Sequence, residues 1–142
     1  MKAMMFVLCA LMLCVGARAA DAPKVTSVKV FASDTTITGQ KIAVPANPNV
    51  VVTHVTFEPG AQLPVHKHPF PHYVYVLEGT LSVTNVETGK TIDLPQGSFF
   101  VEMTDTWHFG KNNGTEPVKL LSIDQLPQGV ASNVVLRDPA PH

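Results

Sequence analysis

A chain of 142 residues has room for one domain and little more. Ten Lys and Arg stand against eleven Asp and Glu, with no basic run or stripe, which excludes the clustered phosphate contacts of a nucleic-acid binder. The only cysteines are Cys9 and Cys14, too few and too close to the start for a disulfide framework.

The chain opens as an export signal. Met1-Lys2 is a short positive start, residues 3–15 are an unbroken apolar run, and Gly16-Ala17-Arg18-Ala19 supplies the small residues of an A-x-A cleavage site. The run is shorter than the roughly 20 residues that a bilayer span needs. Residues 1–19 are therefore expected to be a secretory signal peptide, cut after Ala19 or Ala20. Cys9 and Cys14 each follow a leucine, not the small residue that lipid-anchor processing requires. Both leave with the signal, so the mature chain must be held by a packed core. Loss of Lys2 and Arg18 leaves eight basic side chains against eleven acidic, a net charge of −3. The expected location is the periplasm or the exterior, with no stable membrane insertion after cleavage.

The rest reads as strands. Residues 20–48 form an N-terminal arm in which residues 25–31 (VTSVKVF) alternate as a strand does. Residues 49–57, 73–77, 80–86, 90–94, 98–101, 117–123 and 133–136 share a β-branched or aromatic character. Turn signals divide them at Pro59-Gly60, Glu78-Gly79, Thr88-Gly89, Gln96-Gly97 and Asn113-Gly114. No window of ten residues past the signal has helical periodicity. The pattern predicts an all-β sandwich or barrel, with its core in residues 49–126 and a last strand and tail in 127–142. His142, in the tail, is given no role.

Three of the six histidines lie within HKHPFPH, residues 66–72. His66 and His68 are two apart, so an extended chain points them to one side. Pro69 and Pro71 keep the next residues out of a helix and stiffen the path to His72. His72 opens a strand; facing inward, it would share that side with Val74 and Val76. His108 lies 36 residues further on, in TDTWHFGKN, and joins the others only if the sheet folds back. Neutral imidazoles suit Fe, Mn, Ni, Cu and Zn. Four of them leave an octahedral ion up to two open positions and its full charge, which favours anionic or enolate-like ligands. Loading should weaken below about pH 6, because the ion must displace protons from imidazoles of ordinary pKa about 6.5.

These segments resemble the two motifs of the cupin superfamily. The first runs G-x5-H-x-H-x3/4-E-x6-G. Gly60, His66, His68 and Gly79 keep its spacing, with His72 where the family usually has glutamate. The second runs G-x5-P-x-G-x2-H-x3-N, matched by Gly97, His108 and Asn112, with Met103 for the proline and Asp105 for the glycine. The resemblance implies a small double-stranded β-helix, a jelly-roll-like barrel. It also implies a metal held by His66, His68, His72 and His108, some cupins using four histidines. It suggests a homodimer, for which the strand at residues 25–31 is the candidate contact.

Phe70, Phe100, Met103 and His54 are candidates for the pocket wall, and His54 also for a base. Phe99, Trp107 and Phe109 crowd the same motifs. Glu102 and Asp105 are candidates to orient His108 through its free ring nitrogen. Lys67 should point outward, and Asn112 should hold a turn. No residue is singled out as catalytic, and no serine, cysteine or phosphate-loop motif competes with the metal. The expected cofactor is one divalent ion per chain, Fe or Mn first, with Zn, Ni and Cu compatible. The partner is a small molecule. Three functions fit: a dioxygenase-like enzyme acting on a small substrate that offers two oxygens, a metal-dependent isomerase or lyase, or a binding module without turnover.

Overall fold

A computed structural model of the protein describes residues 24–138. The expected signal peptide and His142 lie outside the described residues. Nine strands follow one another: β1 (Asn49–Phe57), β2 (His66–Lys67), β3 (His72–Glu78), β4 (Thr80–Asn85), β5 (Thr91–Pro95), β6 (Phe99–Val101), β7 (His108–Lys111), β8 (Val118–Leu126) and β9 (Val135–Leu136). They form two antiparallel sheets, ordered β1-β8-β3-β6 and β5-β4-β7-β2-β9. The class is the expected one, an all-β jelly-roll of the cupin type.

Alternation explains the core. On β3, Val74 and Val76 are buried, while Tyr73 and Tyr75, alternating with them, face the other way. Val118 and Leu120 on β8, Phe57 on β1 and Phe100 on β6 meet Leu81 and Val83 from the opposite sheet. Burial of these side chains drives the two sheets together. Gly79 makes the β3–β4 turn at φ +76°, where a Cβ would stand 2.9 Å from Val118 Cγ2 and 3.0 Å from the Pro117 carbonyl. Both the dihedral and the space require glycine.

The alternating stretch at residues 25–31 forms no strand. Among the described residues before β1 the only ladder contact is an isolated Thr35–Lys41 bridge. Val25, Val28 and Val30 are 99%, 82% and 71% exposed. Their alternation is real, but no strand edge among the described residues takes their hydrogen bonds. Two short strands were not apparent from sequence: β2 and β7, which carry His66 and His108. Each is only two to four residues long and has little β-branched character.

Candidate metal centre

β2 lies between β7 and β9, and its first residue, His66, is the direct cross-strand partner of His108. That register brings the two motifs together. His68 continues the β2 path into a parallel bridge with Thr104, and the Asp105 amide donates to the His68 carbonyl at 2.9 Å. The Glu102 amide donates to the His72 carbonyl at 2.9 Å. The first motif thus forms the backbone floor for the second. Gln40 clamps the loop from outside: its Oε1 accepts from the Thr104 amide at 3.0 Å and its Nε2 donates to the Thr104 carbonyl at 2.8 Å.

Four buried side chains converge: His66, His68, Glu102 and His108, with one donor atom from each lying within 4.8 Å of the others. Donors on opposite sides of an ion at about 2.1 Å stand about 4.2 Å apart, so this group closes on an ion with small side-chain shifts. Each ring is oriented through Nδ1, which donates to a backbone carbonyl. The acceptors are Pro64 for His66 (2.8 Å), Asn133 for His68 (2.9 Å) and Thr106 for His108 (2.7 Å). A carbonyl only accepts, so the Nδ1 proton is fixed and Nε2 is left as the basic nitrogen of each neutral ring.

Glu102 takes a place that the sequence reading did not give it. Its Oε2 lies 2.8 Å from His108 Nε2 and 3.0 Å from His68 Nε2. The contact with His108 is at the inward nitrogen, not at the outer one, which belongs to Thr106. With Nδ1 donating to Thr106, the hydrogen bond between His108 Nε2 and Glu102 needs one further proton shared by the pair, which a bound ion would displace. The His68 Nε2 is buried and has no hydrogen-bond partner among the described residues, being close to Oε2 but poorly aligned with it. An orphaned buried imidazole nitrogen facing a carboxylate and two further nitrogens is a fit for a divalent cation. In place of the four expected histidines, the clustered group has three of them and Glu102, a carboxylate contributed by the second motif.

His72 stands outside this four-atom group but lines the same cavity. Its ring stacks on His68 with centroids 4.1 Å apart, and its Nδ1 donates to Asp124 Oδ1 at 2.7 Å. Asp124 is its direct partner in the β3–β8 register. Asn133, buried, donates to the same oxygen at 2.6 Å, and it brackets the Phe70 backbone, accepting from its amide at 3.0 Å and donating to its carbonyl at 3.1 Å. Asp124 and Asn133 went unnoticed in the sequence. Parity was the available signal for Asp124, since Leu120 and Ser122 precede it on the inward face of β8.

The electrostatics follow the contacts. Burial holds the His66 pKa down at about 4, so this ring stays neutral. Burial also opposes charge on His108, but the Glu102 hydrogen bond and charge outweigh it and raise the pKa. For Glu102 burial favours the neutral acid, yet the hydrogen bond from His108 and the adjacent His68 keep the carboxyl well below its usual range. His72 and Asp124 repeat the pattern: against the cost of burial, their mutual hydrogen bond raises the imidazole and lowers the carboxyl.

The proposed pocket residues lie elsewhere. His54 is exposed, because alternation on β1 turns Thr53 and Val55 to the cavity instead. Phe100 and Met103 are core, and neither they nor Phe70 line the cavity. Lys67 points away from the centre, 3.2 Å from Asp105 and over the Trp107 ring. Asp105, where the motif has glycine, adopts φ +51°. Asn112 holds its turn as expected, donating to the Phe57 and Glu116 carbonyls and accepting from the Gly114 amide.

A family model described as the cupin domain matches residues 53–124, just over half of the chain, and the match spans all four donors. The rhicadhesin receptor of pea, Pisum sativum, is 36% identical over 100 residues, covering 65% of this chain and 45% of that protein. The chain therefore spans less than half the length of this curated relative. Among solved structures, the polyketide cyclase RemF from Streptomyces resistomycificus superposes with a TM-score of 0.52 at 22% identity, covering 66% of this chain and 65% of that one. The oxalate decarboxylase of Lactobacillus farciminis gives a TM-score of 0.52 at 22% identity, covering 61% of this chain and 26% of that one. These two likenesses are likenesses of fold. Motif spacing, sheet topology, donor group and family match agree: the chain belongs to the cupin-domain family.

Proposed function

We propose that the protein is an exported, metal-dependent enzyme of the dioxygenase type, acting on a small substrate that offers two oxygens. The observation that carries this reading is the buried group of three imidazoles and one carboxylate at the wall of a cavity of about 240 Å³. His66, His68, Glu102 and His108 would hold one divalent ion, Fe or Mn first, supplying Lewis acidity and, for a redox-active ion, an electron route to dioxygen. The chain's own residues do the rest. Nδ1 contacts to fixed carbonyls hold three rings in place before any ligand arrives. The apolar walls exclude water from the reacting centre. His72, oriented by Asp124, presents its remaining nitrogen beside the group and can take or return a proton there.

A second reading is favoured by one observation: the curated relative bears the name of a receptor. In this reading the same cavity binds a small molecule and nothing turns over. Protein purified without added metal is expected to hold one ion per chain by elemental analysis. Oxygen uptake by Fe(II)-loaded protein with catechols or β-diketones, abolished in His68→Ala, supports the enzyme. Tight ligand binding without uptake or product supports the module, and an absence of metal overturns the enzyme. Export rests on the N-terminal sequence; the mature protein should begin at Ala20 or Asp21 by N-terminal sequencing. A homodimer is part of the same proposal, supported by the exposed valines of the arm and by Val50 and Val52, exposed on edge strand β1.

A further inference from the structure

The cavity beside the donor group has a composition that narrows what can enter it. At about 240 Å³ it has room for about eight waters at about 30 Å³ each, less than the pockets that hold drug-sized ligands. Much of its wall is apolar, with Val55, Phe57, Leu63, Leu120 and Val134 among its residues. A polar strip of Thr53, Ser122, His72 and Asp124 runs along one side, next to the donors.

Charge is the second constraint. No lysine or arginine is among the described residues that line the cavity, whereas two carboxylates, Glu102 and Asp124, are. Asp124 is committed to His72 and Asn133, and Glu102 to the donor group. With His72 neutral, the two carboxylates balance one divalent ion and leave no surplus positive charge. A compact dianion entering here would lose its hydration and meet no lysine or arginine to replace it. Sites built for phosphates or dicarboxylates use arginine, lysine or helix N-termini. The described residues contain no helix, so that device is missing too.

We propose that the site selects a small, neutral or singly ionised ligand of about seven to ten heavy atoms. It would have an apolar body and one pair of neighbouring oxygens, of which one is an enol or phenol. It would discriminate against dianions such as oxalate and against phosphate esters. The apolar wall would take the body, and the donor group with the His72–Asp124 strip would take the oxygen pair. This rests on the reading of His66, His68, Glu102 and His108 as a metal centre.

The test uses the mature protein loaded with Mn(II), dialysed free of excess metal and assayed for metal content before any ligand is added. Titration calorimetry then compares 4-methylcatechol, acetylacetone and oxalate. The expected result is that at least one of the two neutral probes binds ten times or more tighter than oxalate. Val134 lines the cavity at 47% exposure, so Val134→Arg adds a cation at the mouth without entering the core. In that variant, with its metal content measured likewise, the preference over oxalate should shrink at least tenfold. Equal or tighter oxalate binding by the wild-type protein overturns the proposal, as does binding of neither neutral probe, or an unchanged ratio in Val134→Arg. Failure to load metal overturns the metal-centre reading and this proposal with it. A loaded protein that prefers oxalate overturns only this one.

Discussion

Glu102 and His108 share one proton in the absence of an ion, and that contact makes the site sensitive to both mutation and pH. Glu102→Gln keeps the size of the side chain but removes the only charge in the donor group. Metal affinity is expected to fall at least tenfold, read by competition with a chelating indicator. The pH response follows from the directions of the shifts. His66 is neutral in the folded state down to about pH 4, so it does not limit loading. His108, whose pKa is raised above 6.5, must lose its proton to the ion. Loading should therefore weaken as pH falls through that raised value, higher than four ordinary imidazoles would imply. In metal-free protein, the raised pKa values of His108 and His72 contribute stability that is fully present below the unfolded value of 6.5. That contribution is lost as pH rises through the folded values. Above pH 6.5 His66 is neutral both folded and unfolded and adds nothing. Melting curves of metal-free protein should thus decline as pH rises past 6.5, while those of loaded protein hold or rise. A metal-free melting point that climbs over that range would contradict the Glu102–His108 and His72–Asp124 contacts.

At the level of elements, the centre is assembled by short pieces that lean on one another. β2 has two residues and β9 two, and neither would form alone. Asn133, just before β9, ties them to the four-stranded sheet through Phe70 and Asp124. Asn133→Ala removes three hydrogen bonds and leaves the Phe70 backbone groups without their partner. Urea unfolding should show a loss of about 1–3 kcal/mol, and His68, whose Nδ1 rests on the Asn133 carbonyl, should bind metal more weakly. Wild-type unfolding in Asn133→Ala would mean that this corner does not brace the site. Gln40 braces the opposite side of the loop, so the unstranded arm is not idle: part of it holds Thr104 beside the second motif.

For the whole molecule, two sheets with an apolar interior carry a polar centre in the opening between them. Metal bound only by the folded chain stabilises it by about 2.7 kcal/mol at a hundredfold excess over Kd. For a domain of this size that is roughly 5–15 °C in melting temperature. Stripping the ion with a chelator should lower the melting point by that amount, and Mn(II) should restore it. Deleting residues 20–31 should convert a dimer to a monomer in light scattering if the arm makes the contact, and an unchanged mass would exclude it.

How much of this was legible in the chain differs from part to part for physical reasons. The strands with strict alternation, such as 73–77, were readable because period two and β-branching act locally. The spacing of His66, His68 and His108 was readable because it follows a two-motif pattern. Residues 25–31 misled, because alternation states which way side chains point and not whether an edge exists to receive the backbone. Glu102 was legible only as a candidate to orient His108 and Asp124 not at all, since a carboxylate becomes a ligand or a partner only through what lies across from it. Local periodicity and motif spacing thus determined the all-β class and singled out His66, His68 and His108, while His72, expected with them, stands outside the donor group. Cross-strand register decided which carboxylate joins them, how each ring is turned and what the cavity can admit, because those depend on residues brought together from distant parts of the chain.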